Sequence, residues 1–414
     1  MQTKLATEFR DTLEAREAEA IVRKCVHCGF CLATCPTYQL LGDELDSPRG
    51  RIYLLKQVLE GASVTRKTQL HLDRCLTCRN CETTCPSGVA YGRLVDIGRQ
   101  FVDARVQRPA AERLGRGALR SGLTSPLFGP AMALGQALRP LLPAALKDKV
   151  PPRAGARARR WPQREHRRKV LLLLGCVQPS MMPNIDSATA RVLDAAGIQS
   201  LVADGAGCCG AIRAHLGDAA GGLADARRNI DAWWPLVQGL TAQGSVEAIV
   251  VNASACGLQI KEYAQALAHD AEYADKAARV SALARDLSEL LPGMVPALAG
   301  RLRGPGARRL AYHPPCTLQH GQRLGGQVEA SLRALGFEVS LTAVESHLCC
   351  GSAGTYSVLQ PELAARLRER KLDHLAALEA QAIVSANIGC IQHLQGGTST
   401  PVRHWVEVLD EALD

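Results

Sequence analysis

The chain carries the run Cys25-Val-His-Cys28-Gly-Phe-Cys31-Leu-Ala-Thr-Cys35-Pro36, and further along it carries Cys75-Leu-Thr-Cys78-Arg-Asn-Cys81-Glu-Thr-Thr-Cys85-Pro86. Each run has three cysteines separated by two residues, and then a fourth cysteine followed by proline. Three thiolates at this spacing wrap one corner of an iron–sulfur cube within a tight turn, and the fourth thiolate comes from elsewhere in the chain. The proline bends the chain away from the cube. The two runs therefore predict two 4Fe–4S clusters and a protein that moves electrons.

The eight cysteines divide into two predicted ligand sets. In two-cluster ferredoxins, the last cysteine of each run binds the cluster of the other run. That rule assigns the first cluster to Cys25, Cys28, Cys31 and Cys85, and the second cluster to Cys75, Cys78, Cys81 and Cys35. Zinc also binds four thiolates, but two full copies of this spacing, each with a trailing Cys-Pro, favour clusters.

The segment between the runs indicates a mainly helical domain. Arg51–Glu60 has the apolar spacing of an α-helix, whereas a small bacterial ferredoxin joins its runs by short strands. We therefore predict a helical two-cluster ferredoxin domain over residues 1–104. His27, between two ligands, is interpreted as lying beside the cluster or on the surface rather than binding iron. Arg49 and Arg51 either offset the charge of a reduced cluster or are solvated side chains at a helix start.

The net charge of +9 is concentrated in one segment. Residues 151–169 contain eight Arg or Lys and one acidic residue, so they account for +7 of it. A nucleic-acid-binding surface needs a basic face with stacking aromatics, so this distribution argues against a nucleic-acid partner. Residues 105–168, with helical pieces at Ala110–Leu119 and Met132–Leu142, are predicted to form a connector. Its basic end is either solvated or in contact with anionic lipid or an acidic partner.

The sixteen cysteines indicate metal or redox chemistry in a reducing compartment. Residues 8–19 are charged, so the start does not resemble an export signal. The longest apolar stretch, around Val170–Leu174, is far too short to cross a bilayer. Because a reducing cytosol keeps thiols free, we predict a cytoplasmic protein that is at most attached to the membrane surface.

Residues 169–414 contain two copies of one pattern. Each copy has a strand that leads into a cysteine, a helix, a short strand ending near Cys-Cys-Gly, a long helix, another strand and a last cysteine. The clearest predicted strands are Val170–Leu174, Ala248–Val251, Arg309–His313 and Ala382–Ser385. The β-α-β-α-β order predicts a small parallel sheet with helices on its faces. We expect two α/β modules, over residues 169–300 and 301–414, which makes the fold class α+β overall.

The cysteines of these modules form two further candidate sites. The first set is Cys176, Cys208, Cys209 and Cys256, and the second set is Cys316, Cys349, Cys350 and Cys390. Adjacent cysteines on a strand point to opposite faces, but at a turn with glycine both thiols can face one ligand. We predict a metal or redox site at the carboxyl edge of each sheet, with one or two further clusters as the first interpretation. Zinc, a dithiol switch and buried apolar cysteines are the alternatives. His313 and His347, near the second set, are candidate ligands or neighbours of the bound group.

Several stretches are similar to a known family. The two cysteine runs, the Cys-Cys-Gly repeats and the stretches Tyr38–Asp46, Asn229–Pro235 and Cys316–His320 resemble the iron–sulfur subunits of flavin-linked 2-hydroxyacid dehydrogenases, in particular those of glycolate oxidase. The resemblance spans nearly the whole chain, and only the connector is loosely matched. It implies a complex with two flavin-type subunits, one of which holds FAD and oxidises glycolate to glyoxylate. It also implies that this chain passes the electrons to a respiratory acceptor such as quinone.

Other electron donors and other functions stay open at this point. The cysteine pattern is shared with subunits that serve D-lactate or glycerol 3-phosphate, and a cluster-based sensor or scaffold is a further alternative. Heterodisulfide reductase has similar repeats that end in Cys-x2-Cys, but here Ala253 and Asn387 stand where the first of those cysteines would be. The chain has no phosphate-binding glycine loop and no dinucleotide fingerprint. We therefore expect FAD on partner subunits only.

Overall fold

The computed structural model describes residues 1–143, 147, 150–152, 160–303 and 308–413. They form a helical N-terminal domain followed by two α/β modules, which confirms the predicted fold class. Arg153, Arg157 and Arg159 of the predicted basic segment lie outside the described residues. Across the described part of the chain, every helix is too short or too polar to cross a membrane.

The N-terminal domain is built around three helices that pack on one another. Its helices are α1 (Leu13–Lys24), α2 (Pro36–Leu41), α3 (Pro48–Leu59), α4 (Arg66–Asp73), α5 (Asn80–Thr84) and α6 (Tyr91–Arg105). The apolar faces of α1, α3 and α6 meet in a common core. Helix α3 begins where Ser47 Oγ accepts a hydrogen bond from the Gly50 amide at 2.9 Å, with Pro48 in the first turn. The helix predicted between the two cysteine runs is thereby confirmed, with an earlier start.

Arg51 lies buried at the centre of this domain, with 1% of its surface exposed. Its Nε donates a hydrogen bond to His71 O at 2.7 Å, and its Nη2 lies 3.2 Å from Asp46 Oδ1. Asp46 is also buried and accepts a hydrogen bond from Arg74 Nη1 at 2.8 Å. The interpretation of Arg51 as a solvated residue at a helix start is wrong, because α3 packs against α4 and the guanidinium is enclosed by His71 O and Asp46.

The described part of the stretch between the N-terminal domain and the first module contains two α-helices of ten or more residues. They are α7 (Ala110–Leu123) and α8 (Phe128–Ala137). The predicted helix over Met132–Leu142 is wrong at both ends. Pro130 fits in the first turn of α8, where its missing N–H leaves no bond unmade, and Pro140 ends the helix because it cannot continue the hydrogen-bond ladder.

Each module contains a four-stranded parallel sheet. The first module has β1 (Arg168–Leu173), β2 (Ile198–Leu201), β3 (Ala248–Val251) and β4 (Ala284–Asp286), and the second has β5 (Arg309–Tyr312), β6 (Glu338–Ser340), β7 (Ala382–Ser385) and β8 (Val402–His404). The strand orders, β2-β1-β3-β4 and β6-β5-β7-β8, are the same in both. The predicted order with three strands is therefore incomplete. Strands β4 and β8 are three residues long and too short to show an apolar pattern.

The helices of the modules cover both faces of the sheets. In the first module they are α9 (Gln178–Met181), α10 (Asn184–Ala195), α11 (Ala211–His215), α12 (Ala219–Val237), α13 (Ser254–Lys261), α14 (Tyr263–Ala266), α15 (Ala274–Leu283) and α16 (Leu287–Ala299). In the second they are a π-helical turn (Thr317–Gly321), α17 (Gln327–Ala334), α18 (Tyr356–Leu359), α19 (Pro361–Ala376), α20 (Ile388–Gln395) and α21 (Trp405–Ala412). Helix α10 packs on α21 and α16 packs on α17. The modules therefore share one apolar core, which contains Ile185, Leu291, Leu332 and Trp405.

His404 joins the two modules inside this interface. Its Nδ1 accepts a hydrogen bond from the Val406 amide at 3.1 Å, so its Nε2 carries the proton that it donates to Asn252 O at 2.9 Å. Full burial lowers the pKa of His404 from its ordinary value of 6.5 to about 3. The neutral imidazole is therefore the form that the fold requires.

We expect this histidine to make the chain sensitive to acid. The unfolded chain binds the proton below pH 6.5, whereas the folded chain resists it down to about pH 3, so the stabilisation is complete above pH 6.5 and is lost as the pH falls. At pH 5 the loss amounts to about 2 kcal/mol. Anaerobic denaturant unfolding at pH 7.5 and pH 5 measures it, with His404→Gln as the comparison. An equal loss in both proteins would contradict the assignment.

Candidate iron–sulfur sites

The four thiols predicted for the first cluster line one cavity of the N-terminal domain. They are those of Cys25, Cys28, Cys31 and Cys85, and Cys81 also borders the cavity. Cys25 directly follows α1, and Cys85 directly follows α5. His27 and Gly29 have φ values of +58° and +86°, and these left-handed residues curl the loop around the cavity.

The four thiols predicted for the second cluster line a separate cavity. They are those of Cys35, Cys75, Cys78 and Cys81. Cys35 precedes α2, while the other three belong to the second run, so the last cysteine of the first run does lie with the opposite run. Thr77 and Arg79 have φ values of +51° and +58°, which repeats the curled loop of the first cavity.

Hydrogen-bond donors already point at the sulfur atoms of the second cavity. The Thr77 amide donates to Cys75 Sγ at 3.4 Å, and the Tyr91 hydroxyl donates to the same sulfur at 3.7 Å. Cys35 Sγ lies 3.3 Å from Thr37 Oγ1, whose own proton goes to Asp46 O at 2.9 Å. Donors in these positions stabilise thiolates and tune the reduction potential of a bound cluster.

Burial makes the thiolates of these cavities costly without a cation. It raises the pKa of the Cys31 thiol to about 11, and it raises the pKa values of the Cys78 and Cys81 thiols well above their ordinary value. Only thiolates bind metal, and the positive charge of iron repays the cost of forming them. Thiols gathered in each cavity, with hydrogen-bond donors aimed at a sulfur atom of the second, therefore fit iron–sulfur clusters.

The cysteines of the first module meet at the carboxyl edge of its sheet. Cys176 follows β1, Cys208 and Cys209 form a turn, and Cys256 lies in α13. A hydrogen bond from the Cys176 thiol lowers the pKa of Cys208, and further hydrogen bonds from the Cys209 thiol and the Gly210 amide act in the same direction. The amide lies 3.4 Å from Cys208 Sγ. Donors thus gather around Cys208 Sγ, where they would stabilise the thiolate form that binds metal.

The second module repeats this arrangement with a more buried set. Cys316 Sγ donates to Cys349 Sγ at 3.8 Å, and the Gly351 amide donates to the same sulfur at 3.4 Å. Cys350 and Cys390 are also buried. All sixteen cysteines fall within the described residues, and all are free thiols.

Each Cys-Cys pair depends on the glycine that follows it. Gly210 and Gly351 have φ values of +91° and +90°, a region that favours glycine. A Cβ atom on Gly210 would lie 2.5 Å from Gly222 O, and one on Gly351 would lie 2.6 Å from Ala364 O. The backbone of the long helix of each module, α12 or α19, therefore packs directly against the turn and holds both thiols in place.

The second cavity lies against the second module. Asn80 Nδ2 donates to His347 O at 3.3 Å, and Thr83 Oγ1 is within 3.0 Å of His320 Nδ1. Cys78 packs against an apolar cluster that contains Cys316 and Cys349. The first module is joined to the same loop by an ion pair between Arg79 and Glu262. The thiols of the second run are thus directly next to those of the second module.

Lys371 is a charged residue of this region that the sequence analysis missed. It is 3% exposed, and its Nζ donates to Glu345 O at 2.5 Å and to Ser346 O at 3.5 Å. Burial lowers the pKa of Lys371, and the thiols of the second module oppose that shift. Its four-residue spacing from the buried Leu367 and Leu375 in α19 is a signal that would have placed it on the inner face.

The two histidines near the second set have different positions. His347 contributes its carbonyl oxygen to the contact with the N-terminal domain, where His320 Nε2 also lies 2.8 Å from it. The side chain of His313 is buried, and one of its ring nitrogens lies within 4.8 Å of the sulfur atoms of Cys350 and Cys390.

Two family models match the chain, and they fall on the regions described above. A 4Fe–4S dicluster domain matches residues 21–89. A cysteine-rich domain matches twice, at residues 170–261 and 310–395. The matches coincide with the two cavities and with the two repeated modules.

Curated relatives match over very different lengths. The glycolate oxidase iron–sulfur subunit of Escherichia coli K12 is 54% identical, and the alignment covers 100% of both chains. A probable glycolate oxidase iron–sulfur subunit of Bacillus subtilis 168 is 29% identical over 99% of this chain and 97% of its own. Lactate utilization protein A of Geobacillus thermodenitrificans is 26% identical over 58% of this chain and 98% of its own.

Proposed function

The chain belongs to the glycolate oxidase iron–sulfur subunit family, and on that premise we propose that it carries electrons from a flavin-containing partner subunit to a respiratory acceptor. The substrate of the complex is glycolate, which the partner oxidises to glyoxylate. FAD is bound by that partner, and a second flavin-type subunit completes the complex. The acceptor is a quinone.

The observation that carries this proposal is the pair of cavities, each of which is lined by the four cysteines predicted for one cluster. The first cluster is held by Cys25, Cys28, Cys31 and Cys85, and the second by Cys75, Cys78, Cys81 and Cys35. Oxidation of glycolate releases two electrons and two protons, and the flavin takes up the electrons as a pair. Each cluster carries one electron at a time, so two neighbouring clusters allow the pair to leave the flavin in single steps.

The metal site of the second module is the next electron carrier after the cluster of the second run. Its thiols Cys316 and Cys349 lie in the same apolar cluster as Cys78 of the second run. The buried ammonium of Lys371 offsets the negative charge of the thiolates at that site. We assign one further cluster to each module, held by the two cysteine sets described above. The total would then be about sixteen irons per chain, against about eight for the N-terminal domain alone.

The proposed cluster sites divide the chain into four parts. We propose a ferredoxin-type domain over residues 1–104, a connector over 105–168 and modules over 169–300 and 301–414.

The complex lies on the cytoplasmic side of the membrane, and the basic segment over residues 151–169 contacts acidic lipid or an acidic partner. The charge of that segment supports this placement.

Anaerobic co-expression with the flavoprotein partner tests the proposal. We expect the complex to purify intact, and glycolate to reduce the clusters, observed as bleaching of their absorbance and as an electron paramagnetic resonance signal. D-Lactate and glycerol 3-phosphate serve as competing substrates, because the lactate utilization relative matches more than half of the chain. Cluster reduction by lactate but not by glycolate would replace the substrate, and a chain that binds DNA with no reducible partner would reject the function.

A further inference from the structure

We propose that His313 is a metal ligand, and that its imidazole binds the same metal centre as the thiolates of Cys350 and Cys390. These three side chains come from three different elements of the second module. His313 follows β5, Cys350 is in the Cys-Cys-Gly turn, and Cys390 is in α20. The donor atoms lie within 4.8 Å of one another, and all three residues are buried.

The backbone fixes His313 at the edge of the sheet. Its amide donates to Val384 O at 2.8 Å, and its carbonyl oxygen accepts a hydrogen bond from Ser385 Oγ at 2.8 Å. Both contacts are on the neighbouring strand β7, so the residue continues the ladder of the sheet. The imidazole therefore starts from a rigid position at the carboxyl edge, where the cysteine loops also meet.

The imidazole itself has no hydrogen-bond partner among the residues that the structure describes. Neither Nδ1 nor Nε2 is paired, although only 2% of the residue is exposed. A buried polar group left unpaired costs about 1–3 kcal/mol, and such a group calls for a bound ion or water. Lys371, a buried cation of the same module, already donates to two backbone carbonyls. The sulfur atoms of Cys350 and Cys390 are therefore the groups with which the ring could bind a common metal.

The donor set and its spacing suit one metal. Zinc binds sulfur at about 2.3 Å and nitrogen at about 2.0 Å, so two such ligands of one tetrahedral ion are about 3.5–3.8 Å apart. The three donors need to close by about 1 Å to reach that geometry. Thiolates with one imidazole also suit an iron of a cluster. The proposal requires a metal that binds both sulfur and nitrogen. That this metal is the iron of a cluster rests on the function proposed above.

The first module provides an internal comparison. The residue three positions before Cys316 is His313, and the residue three positions before Cys176 is Leu173. Leu173 pairs with Val251 in the first sheet and packs in the apolar core beside Cys209. The equivalent position thus accepts an apolar side chain without loss of the fold. The two modules differ in this one ligand, so we expect their metal centres to differ.

His313→Leu tests the assignment on the full chain, isolated anaerobically, with iron and zinc measured together. We expect the variant to lose one metal centre, seen as about four irons or one zinc, and to keep the about eight irons of the N-terminal domain. His313→Cys should restore the metal, because a thiolate replaces the imidazole. His347→Leu is the matched control, and we expect it to keep the full metal content.

Nitrogen couplings supply a second readout. In an iron centre, isotopic labelling of histidine should change the pulsed electron paramagnetic resonance spectrum of the parent chain, and His313→Cys should lack that coupling. Unchanged metal content in a folded His313→Leu chain would overturn the proposal, as would a parent chain whose only metal is that of the N-terminal domain. Glycolate-dependent reduction of the N-terminal clusters is recorded in the same samples, so a failure of the proposed function is seen separately.

Discussion

Replacing Cys35 by alanine is expected to remove the cluster of the second run, although Cys35 belongs to the first run. The reason is its position, because Cys35 lines the cavity of Cys75, Cys78 and Cys81. Each loss should lower the iron content by about four. Cys85→Ala should conversely remove the cluster of the first run, since Cys85 lines the other cavity.

Comparing the spectra of pairs of variants tests directly whether the last cysteine of each run binds the cluster of the other run. The spectrum that remains in Cys35→Ala should match that of Cys78→Ala, and the spectrum of Cys85→Ala should match that of Cys28→Ala. If Cys35→Ala and Cys28→Ala gave the same spectrum instead, the crossed assignment would be wrong. Cys176→Ala is the control for a cysteine outside the N-terminal domain, and we expect it to leave both of these signals unchanged.

Spacing alone predicted the parts of the molecule that are set by local geometry. Three cysteines with two residues between each and the next can face a common point only if the chain curls, so the loops at His27 and Thr77 follow from the runs themselves. The repeat predicted two sheets because each copy carries its own strands and its own turn glycine. Cys208 and Cys349 therefore take equivalent places in the structure.

Features that depend on contacts between distant segments could not be predicted in this way. An arginine at a helix start has the same local sequence whether it is solvated or buried, and only the packing of α3 against α4 decides that Arg51 is buried. Strands β4 and β8 exist because a neighbouring strand offers them free backbone groups. The shared core of the modules and the contact of Cys78 with the second module likewise join segments far apart in the chain.

Replacing Asp46 by alanine is expected to have the largest effect on stability. Asp46 is fully buried, and its carboxylate contacts Arg51, Arg74 and His71. Removing one partner of a buried ion pair leaves an uncompensated charge, which costs about 3–5 kcal/mol. The backbone oxygen of Asp46 also lies 3.7 Å from Cys35 Sγ. We therefore expect loss of the second cluster together with a lower free energy of unfolding.

Anaerobic denaturant unfolding, followed by cluster absorbance and by circular dichroism, measures both effects. Asp11 is the matched control, because its side chain is 98% exposed and its ion pair with Arg16 is long at 3.8 Å. Asp11→Ala should change stability by no more than about 0.5 kcal/mol. Combining Asp46→Ala with Arg51→Met should recover part of the lost stability, because the unpaired charge is removed as well. A cost below about 1 kcal/mol for Asp46→Ala, with the second cluster retained, would mean that solvent reaches Arg51 and that the buried pair does not hold this domain together.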